Sequence, residues 1–326
     1  TSGAGLRFAD AEATGFTTWA HDPIDGNSLD DNFVRSVCVE NSGRVWVGTA
    51  LGLNLVDRQT GSVRHWRHDP ARTTRLGRAS VEALHMDGSG RLWLGAAGGL
   101  SLFEEGSNTF RRFWDDATES TGGSTRIVKV IRETRDTKLM IGTEGYGLKL
   151  FDPGSKSFSA FPILRPGEDN YLRKVTALEQ TRDGTWWIGG YSGLTRLDRS
   201  AGVAGRIVHD PENPNSISSN LVSAIFVDRT RDGILWVGTM DAGLNLVDRQ
   251  TGRVRHWRHD PARTTSLGRA SVEALHMDRS GRLWLGTAGG LSLFEETSNT
   301  FRRYWDDVTE PTGGSGVIVK VIRETR

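Results

Sequence analysis

Seven positions in this 326-residue chain place a polar side chain directly after a valine, at nearly even spacing. They are Arg35, Glu82, Lys129, Thr176, Ser223, Glu273 and Lys320. Two residues further on the chain is aliphatic every time: Val37, Leu84, Ile131, Leu178, Ile225, Leu275 and Ile322. A belt of donors and acceptors of mixed sign can bind a polar ligand through charge-assisted hydrogen bonds. It can equally satisfy itself through ion pairs and trapped water. Arg35, Lys129 and Lys320 suit a carboxylate or an acidic sugar, whereas Glu82 and Glu273 work against a purely anionic ligand.

Other residues invite chemistry that their setting does not support. His65-Trp66-Arg67-His68-Asp69 and its copy His256-Trp257-Arg258-His259-Asp260 hold histidines three apart. On a strand such residues face opposite sides, so a shared metal is not expected. Glu82 with His85, and Glu273 with His276, could supply an acid, a base or metal ligands, but the same parity separates them. The Gly-Thr-x-x-Gly-Leu stretches (Gly48-Thr49 to Gly52-Leu53 and their copies) have no helix after them. They read as strand-to-strand turns rather than phosphate loops. Cys38 is the only cysteine, so no internal disulfide forms.

Lys and Arg total 41 and Asp and Glu total 40, a net charge of +1, which excludes the basic footprint of a dedicated nucleic-acid binder. No apolar run is long enough for a transmembrane helix. The first ten residues, TSGAGLRFAD, show no charged-then-apolar leader. The 40 glycines and 11 tryptophans favour short strands and tight turns over helices.

The elements that must position the belt follow from internal repetition. Residues 53–135 and 244–326 align without a gap, with 73 identities in 83 positions. A shorter period lies inside. Trp46, Trp93, Met140, Trp187, Trp236 and Trp284 recur at steps of 47, 47, 47, 49 and 48, the length of a four-stranded propeller blade. Residues 34–69 show its plan: VRSVCVE, a turn at Asn41-Ser42-Gly43, VWVGT, a Gly turn, LNLVD, a turn at Thr60-Gly61, then VRHWRH. One such sheet exposes both faces, so it must stack on its neighbours, and a closed ring solves that.

The expected fold is all-β: a single β-propeller over 1–326, with seven blades of four antiparallel strands. Six complete blades begin at Val34, Val81, Val128, Val175, Val222 and Val272, spanning about 34 to 317. The seventh is split between the termini, 1–22 with 318–326. It lacks the equivalent of Asp136–Gly142, most of a second strand. A gap, another segment or a longer array would explain that, and the expectation is a fragment of a longer array.

The pattern V-x-x-apolar-x-x-(D/E/N)-x-x-G-x-apolar-W-apolar-G-T-x-x-G-L-x-x-(L/F)-D, best seen over Val222–Asp248, resembles the two-component regulator propeller repeat. The copy at 128–152 departs from it with Met140 in the Trp position. The resemblance implies an extracytoplasmic sensor propeller, periplasmic or extracellular, ahead of a membrane span and a signalling output domain or partner protein. A carbohydrate-derived ligand is likewise implied by the resemblance alone.

In a propeller the first strand of each blade borders the channel, so the seven-residue belt lies at the channel mouth. The fourth-to-first-strand loops flank that face with Arg72, Arg75, Arg78, Arg263 and Arg269. Trp46, Trp93, Trp187, Trp236 and Trp284 read as inter-blade packing. Trp19, Trp66, Trp114, Trp257 and Trp305 read as structural residues of fourth strands, and Trp186 as a packing residue on the opposite face of its strand. The functional expectation is a non-enzymatic sensor of a small polar or carbohydrate-like ligand. It needs no cofactor or metal, and binds no nucleic acid or membrane. A protein-interaction scaffold is the alternative, and a lyase-type propeller enzyme comes third.

Overall fold

The computed structural model describes residues 3–8, 16–68, 76, 80–113, 127–160, 173–198, 202–304 and 318–325. They form two compact units. The first comprises Thr1–Gly145, Lys149–Ser159 and Arg323–Arg326, and the second Tyr146–Leu148 with Ala160–Ile322.

The first unit opens with a two-stranded sheet, β1 (Leu6–Phe8) and β2 (Thr17–Trp19). Three four-stranded antiparallel sheets follow. They are β3 (Val34–Val39), β4 (Val45–Thr49), β5 (Gly52–Val56), β6 (Val63–Arg67); β7 (Val81–Met86), β8 (Leu92–Ala96), β9 (Gly99–Glu104), β10 (Thr109–Arg112); and β11 (Ile127–Glu133), β12 (Leu139–Glu144), β13 (Leu148–Asp152), β14 (Ser157–Ala160). The second unit holds three more of the same order. They are β15 (Val175–Gln180), β16 (Trp186–Gly190), β17 (Gly193–Asp198), β18 (Gly202–Ile207); β19 (Val222–Val227), β20 (Ile234–Thr239), β21 (Leu244–Asp248), β22 (Val254–Trp257); and β23 (Val272–Met277), β24 (Leu283–Thr287), β25 (Gly290–Glu295), β26 (Thr300–Arg303). Every four-stranded sheet is a simple up-and-down meander, so each of the six is one blade.

The buried strand residues are mostly β-branched, aromatic or leucine, and the turns supply what strands cannot. Between first and second strands a glycine adopts positive φ, as at Gly90 (φ 78°). In the third blade Thr137 takes that place at φ 59°, a left-handed conformation that a β-branched residue adopts only under strain.

Within each unit the first strands lie side by side: β3, β7 and β11 in one, β15, β19 and β23 in the other. A glycine on each second strand makes this approach possible. A Cβ on Gly48 would lie 2.7 Å from the Val81 carbonyl oxygen, and one on Gly95 would lie 2.9 Å from that of Val128. Large flat side chains fill the outer part of the same junctions. Trp46 packs against Trp66 and Phe103 with ring centroids 5.4 and 5.2 Å apart, and Trp236 repeats this with Trp257 and Phe294. These tryptophans are inter-blade packing, as their spacing predicts. Trp186 is buried too. Trp66 and Trp257 are buried fourth-strand residues whose indole N–H groups donate to Asn108 and Asn299. Trp114 and Trp305 lie outside the described residues.

The terminal segments do not complete a four-stranded sheet among the described residues. β1 and β2 pair with each other. Ile318–Thr325, expected as a first strand, holds one bridge residue at Ile318 and no ladder.

Candidate functional site

The six belt residues that lie on strands share one backbone feature. In every blade the register between first and second strand shifts at the same point: Val34/Ser36, Val81/Ala83, Val128/Val130, Val175/Ala177, Val222/Ala224 and Val272/Ala274. The residue left over is Arg35, Glu82, Lys129, Thr176, Ser223 or Glu273. Each is the extra residue of a β-bulge. A bulge removes a residue from the ladder and re-aims its side chain. It also breaks strict alternation, so the parity that separated Glu82 from His85 and Glu273 from His276 does not hold along these strands.

In the first unit the bulges bring three charged groups together. Lys129 Nζ lies 3.0 Å from Glu82 Oε2, and Arg35 Nε lies 3.9 Å from Glu82 Oε1. The Ser80 hydroxyl donates to Glu82 Oε1 at 2.5 Å. Burial opposes ionisation of Glu82, but Lys129, the Ser80 hydroxyl and Arg35 outweigh it and hold the carboxyl below its usual range. Glu144, at the end of β12, adds a second carboxylate 3.6 Å from Lys129. Sequence reasoning missed Glu144; its signal was being the one charge where other blades have Ala50, Ala97, Tyr191, Met240 and Ala288. Arg35 Nε is buried with no hydrogen-bond partner among the described residues. Of this group, the Arg35 fork is the least committed.

The first blade also exposes two apolar side chains that sequence reasoning missed, Phe33 two residues before Arg35 and Leu51 in the turn after β4. Phe33 is 48% exposed and Leu51 50%. The Ala50 N–H donates to the Phe33 carbonyl at 3.1 Å, which fixes the turn carrying Leu51 next to Phe33.

The second unit uses its belt residues differently. Thr176 donates its hydroxyl to the Val222 carbonyl at 2.6 Å, and Ser223 donates to the Val272 carbonyl. Both hydroxyls tie one blade to the next. Glu273 pairs with Lys320 at 2.8 Å and accepts from the Ser271 hydroxyl at 2.5 Å. In the fourth blade Lys174 Nζ sits 4.6 Å from the Tyr191 ring centroid, a cation–π contact.

The histidines of the fourth strands and following loops are structural. His21, His68, His209 and His259 each place Nδ1 about one hydrogen bond from a loop carbonyl, at Leu29, Leu76, Ile217 and Leu267. His65 and His256 do the same through Nε2 to Ser28 and Ser216. His85 differs: its Nε2 is buried without a hydrogen-bond partner among the described residues. Burial, reinforced by the Arg132 charge, pushes its pKa down to about 4. Burial raises the Cys38 thiol, so it is not a reactive thiolate. Among the described residues no three His, Cys, Asp or Glu side chains converge as a metal cradle. Arg263 stands 3.4 Å from Asp260 within its loop. Arg72, Arg75 and Arg78 lie outside the described residues.

Residues 28–50 match the two component regulator propeller family. The chain carries a two-component regulator propeller repeat. No curated protein matches it in sequence. Among solved structures it is similar to the extracellular domain of the one component system BT4673 from B. thetaiotaomicron, with TM-score 0.56 and 16% identity over 92% of this chain and 44% of that one. The extracellular domain of the hybrid two component system BT3049 from B. thetaiotaomicron gives TM-score 0.52 and 20% identity over 93% and 44%. Virginiamycin B lyase from Staphylococcus aureus gives TM-score 0.61 and 13% identity over 84% and 85%. At these identities the likeness shows the fold, a β-propeller with antiparallel four-stranded blades. The chain spans less than half the length of the two ectodomains. No helix among the described residues is long and apolar enough to cross a membrane.

Proposed function

We propose that this repeat-bearing chain is a non-enzymatic sensing propeller. In this reading it forms a single seven-bladed domain and serves as the extracellular or periplasmic input of a signalling protein, through an output domain or partner. Its ligand is a small polar molecule, carbohydrate-like and bearing a carboxylate. The observation behind this is the bulge repeated at one point in six blades, which turns a polar residue out of each first strand. Arg35 is the group most ready to take an oxyanion, because its planar fork binds carboxylates in two parallel bonds. Phe33 and Leu51, in the same blade, offer an apolar shelf for a ring face. Glu82 serves as the internal counter-ion that keeps Lys129 in place. Likeness to sensor ectodomains supports the signalling role; likeness to a lyase adds no catalytic claim, since it reaches fold level only.

The test is a thermal-shift screen against neutral and uronic oligosaccharides. A stabilising hit should be lost in Arg35→Ala and weakened in Lys129→Ala. A shift unaffected by both substitutions would move the site to the loops. A second reading, a protein-interaction scaffold, draws on the exposed Phe33 and Leu51 pair. It would be favoured if Phe33→Ser and Leu51→Ser abolished capture of a protein partner while Arg35→Ala did not.

A further inference from the structure

Arg35 and Lys129, from the blades on either side, both face Glu82, but unequally. Glu82 Oε2 lies 3.0 Å from Lys129 Nζ, and Oε1 takes the Ser80 hydroxyl at 2.5 Å. Arg35 Nε stands 3.9 Å from Oε1 and makes no hydrogen bond among the described residues. Glu144 brings a second carboxylate to Lys129 at 3.6 Å. Lys129 is thus held between two anions, while Arg35 has a distant share of one. The Glu82 side chain is 13% exposed against 35% for Arg35, so solvent screens the arginine more than the acid. Burial works against the Glu82 charge, yet Lys129, the Ser80 hydroxyl and Arg35 outweigh it and keep the group ionised.

The second unit carries the same set without the arginine. Glu273 accepts from the Ser271 hydroxyl at 2.5 Å and pairs with Lys320 at 2.8 Å. In the blade before it the place of Arg35 is held by Ser223, whose hydroxyl goes to the Val272 carbonyl. The Ser-Glu-Lys set is therefore complete in itself, and Arg35 is an addition to it.

We propose that Glu82 selects ligands by charge, admitting one carboxylate and turning away a second anionic group. This rests on the reading that Arg35 takes the ligand carboxylate. One carboxylate can meet the Arg35 fork through two parallel N–H bonds. A second anion on the same small ligand meets a lysine already held by Glu82 and Glu144, and stands against the Glu82 charge. An attractive group beside a repulsive one is how a site gains selectivity as well as affinity. The ligand class is a sugar acid carrying a single negative charge; polyuronates and sulfated uronates are excluded.

Calorimetric titration of the whole chain with three forms of one disaccharide tests this: digalacturonate, its monomethyl ester and its dimethyl ester. The monoester should bind tightest, with the diacid and the diester each weaker by about tenfold or more. In Glu82→Gln the diacid should gain about tenfold or more and no longer trail the monoester. A diacid that binds the wild type as tightly as the monoester, with both lost in Arg35→Ala, would overturn the selection by Glu82 and leave the Arg35 carboxylate site standing. A monoester preference that persists in Glu82→Gln would overturn it too. Absence of binding by all three would sink both readings together. Should Glu82→Gln fail to fold, Lys129→Gln takes its place: it releases Glu82 and should widen the gap between monoester and diacid, and an unchanged gap would overturn the proposal.

Discussion

The indole N–H of Trp93 donates to Asp87 Oδ2 at 2.7 Å, from a strand position six residues downstream. Trp46, Trp236 and Trp284 make the same bond to Glu40, Asp228 and Asp278. An arginine clamps each carboxylate: Arg44, Arg91, Arg231 or Arg282. The carboxylate closes the first turn and satisfies a buried donor at once. In the fourth blade the position is Thr181, whose hydroxyl is given to Asp183 and the Thr185 carbonyl. Trp187 Nε1 is left buried with no hydrogen-bond partner among the described residues.

Asp87→Ala should therefore destabilise the fold by about 1–3 kcal/mol, since it orphans a buried N–H. Thr181→Asp combined with Thr185→Arg should do the reverse, gaining about 1 kcal/mol by copying the second-blade arrangement. Denaturant midpoints of the two variants decide the matter. An unchanged midpoint for Asp87→Ala would remove the structural role assigned to this bond.

Stability should fall in two steps on acidification. His85 titrates near 6.5 when unfolded and near 4 when folded. Its contribution is complete above pH 6.5 and is lost as pH falls through the folded value. The carboxyls of Glu40, Asp87, Asp228 and Asp278 are opposed by burial but held low by their hydrogen bonds and arginines. Their contribution is present above the ordinary carboxylate range and disappears below it. Melting temperature against pH should show both limbs, and His85→Gln should flatten the upper one alone.

Thr137→Gly should stabilise the third blade by about 1 kcal/mol. The left-handed φ of 59° costs a β-branched residue more than glycine loses in unfolded-state entropy. Calorimetry of the single variant reads this directly, and a lower melting temperature would contradict it.

Gly95→Ala should cost about 1–3 kcal/mol or more, because the added methyl meets Val128 Cγ1, Cβ and carbonyl oxygen, none of which is the far end of a flexible side chain. Gly106→Ala, where a Cβ meets nothing within 4 Å, serves as the comparison. Equal melting temperatures for the pair would show that the blades can separate to admit a methyl group.

Much of this was readable from the residues. Strand periodicity, the Trp spacing and the turn residues placed six blades. The bulges were not readable. A bulged first strand has the same length and the same valine start as a regular one, and only pairing with the second strand reveals the extra residue. That hidden residue changed the site. It voided the parity used to separate Glu82 from His85, and it explains why polar residues follow the valine in every blade. Nor could spacing reveal that Thr176 and Ser223 bond to neighbouring backbone, since serine and threonine serve either role.

The Gly48 and Val81 fit recurs at Gly95 with Val128, Gly189 with Val222, Gly238 with Val272 and Gly286 with Val319. Each junction is thus a plug and socket of one gauge. A period copied in frame therefore presents the same valine and the same glycine to the blades on either side. That interchangeability gives a mechanical reason why 73 of 83 positions can stand twice in one chain without misfit at either place.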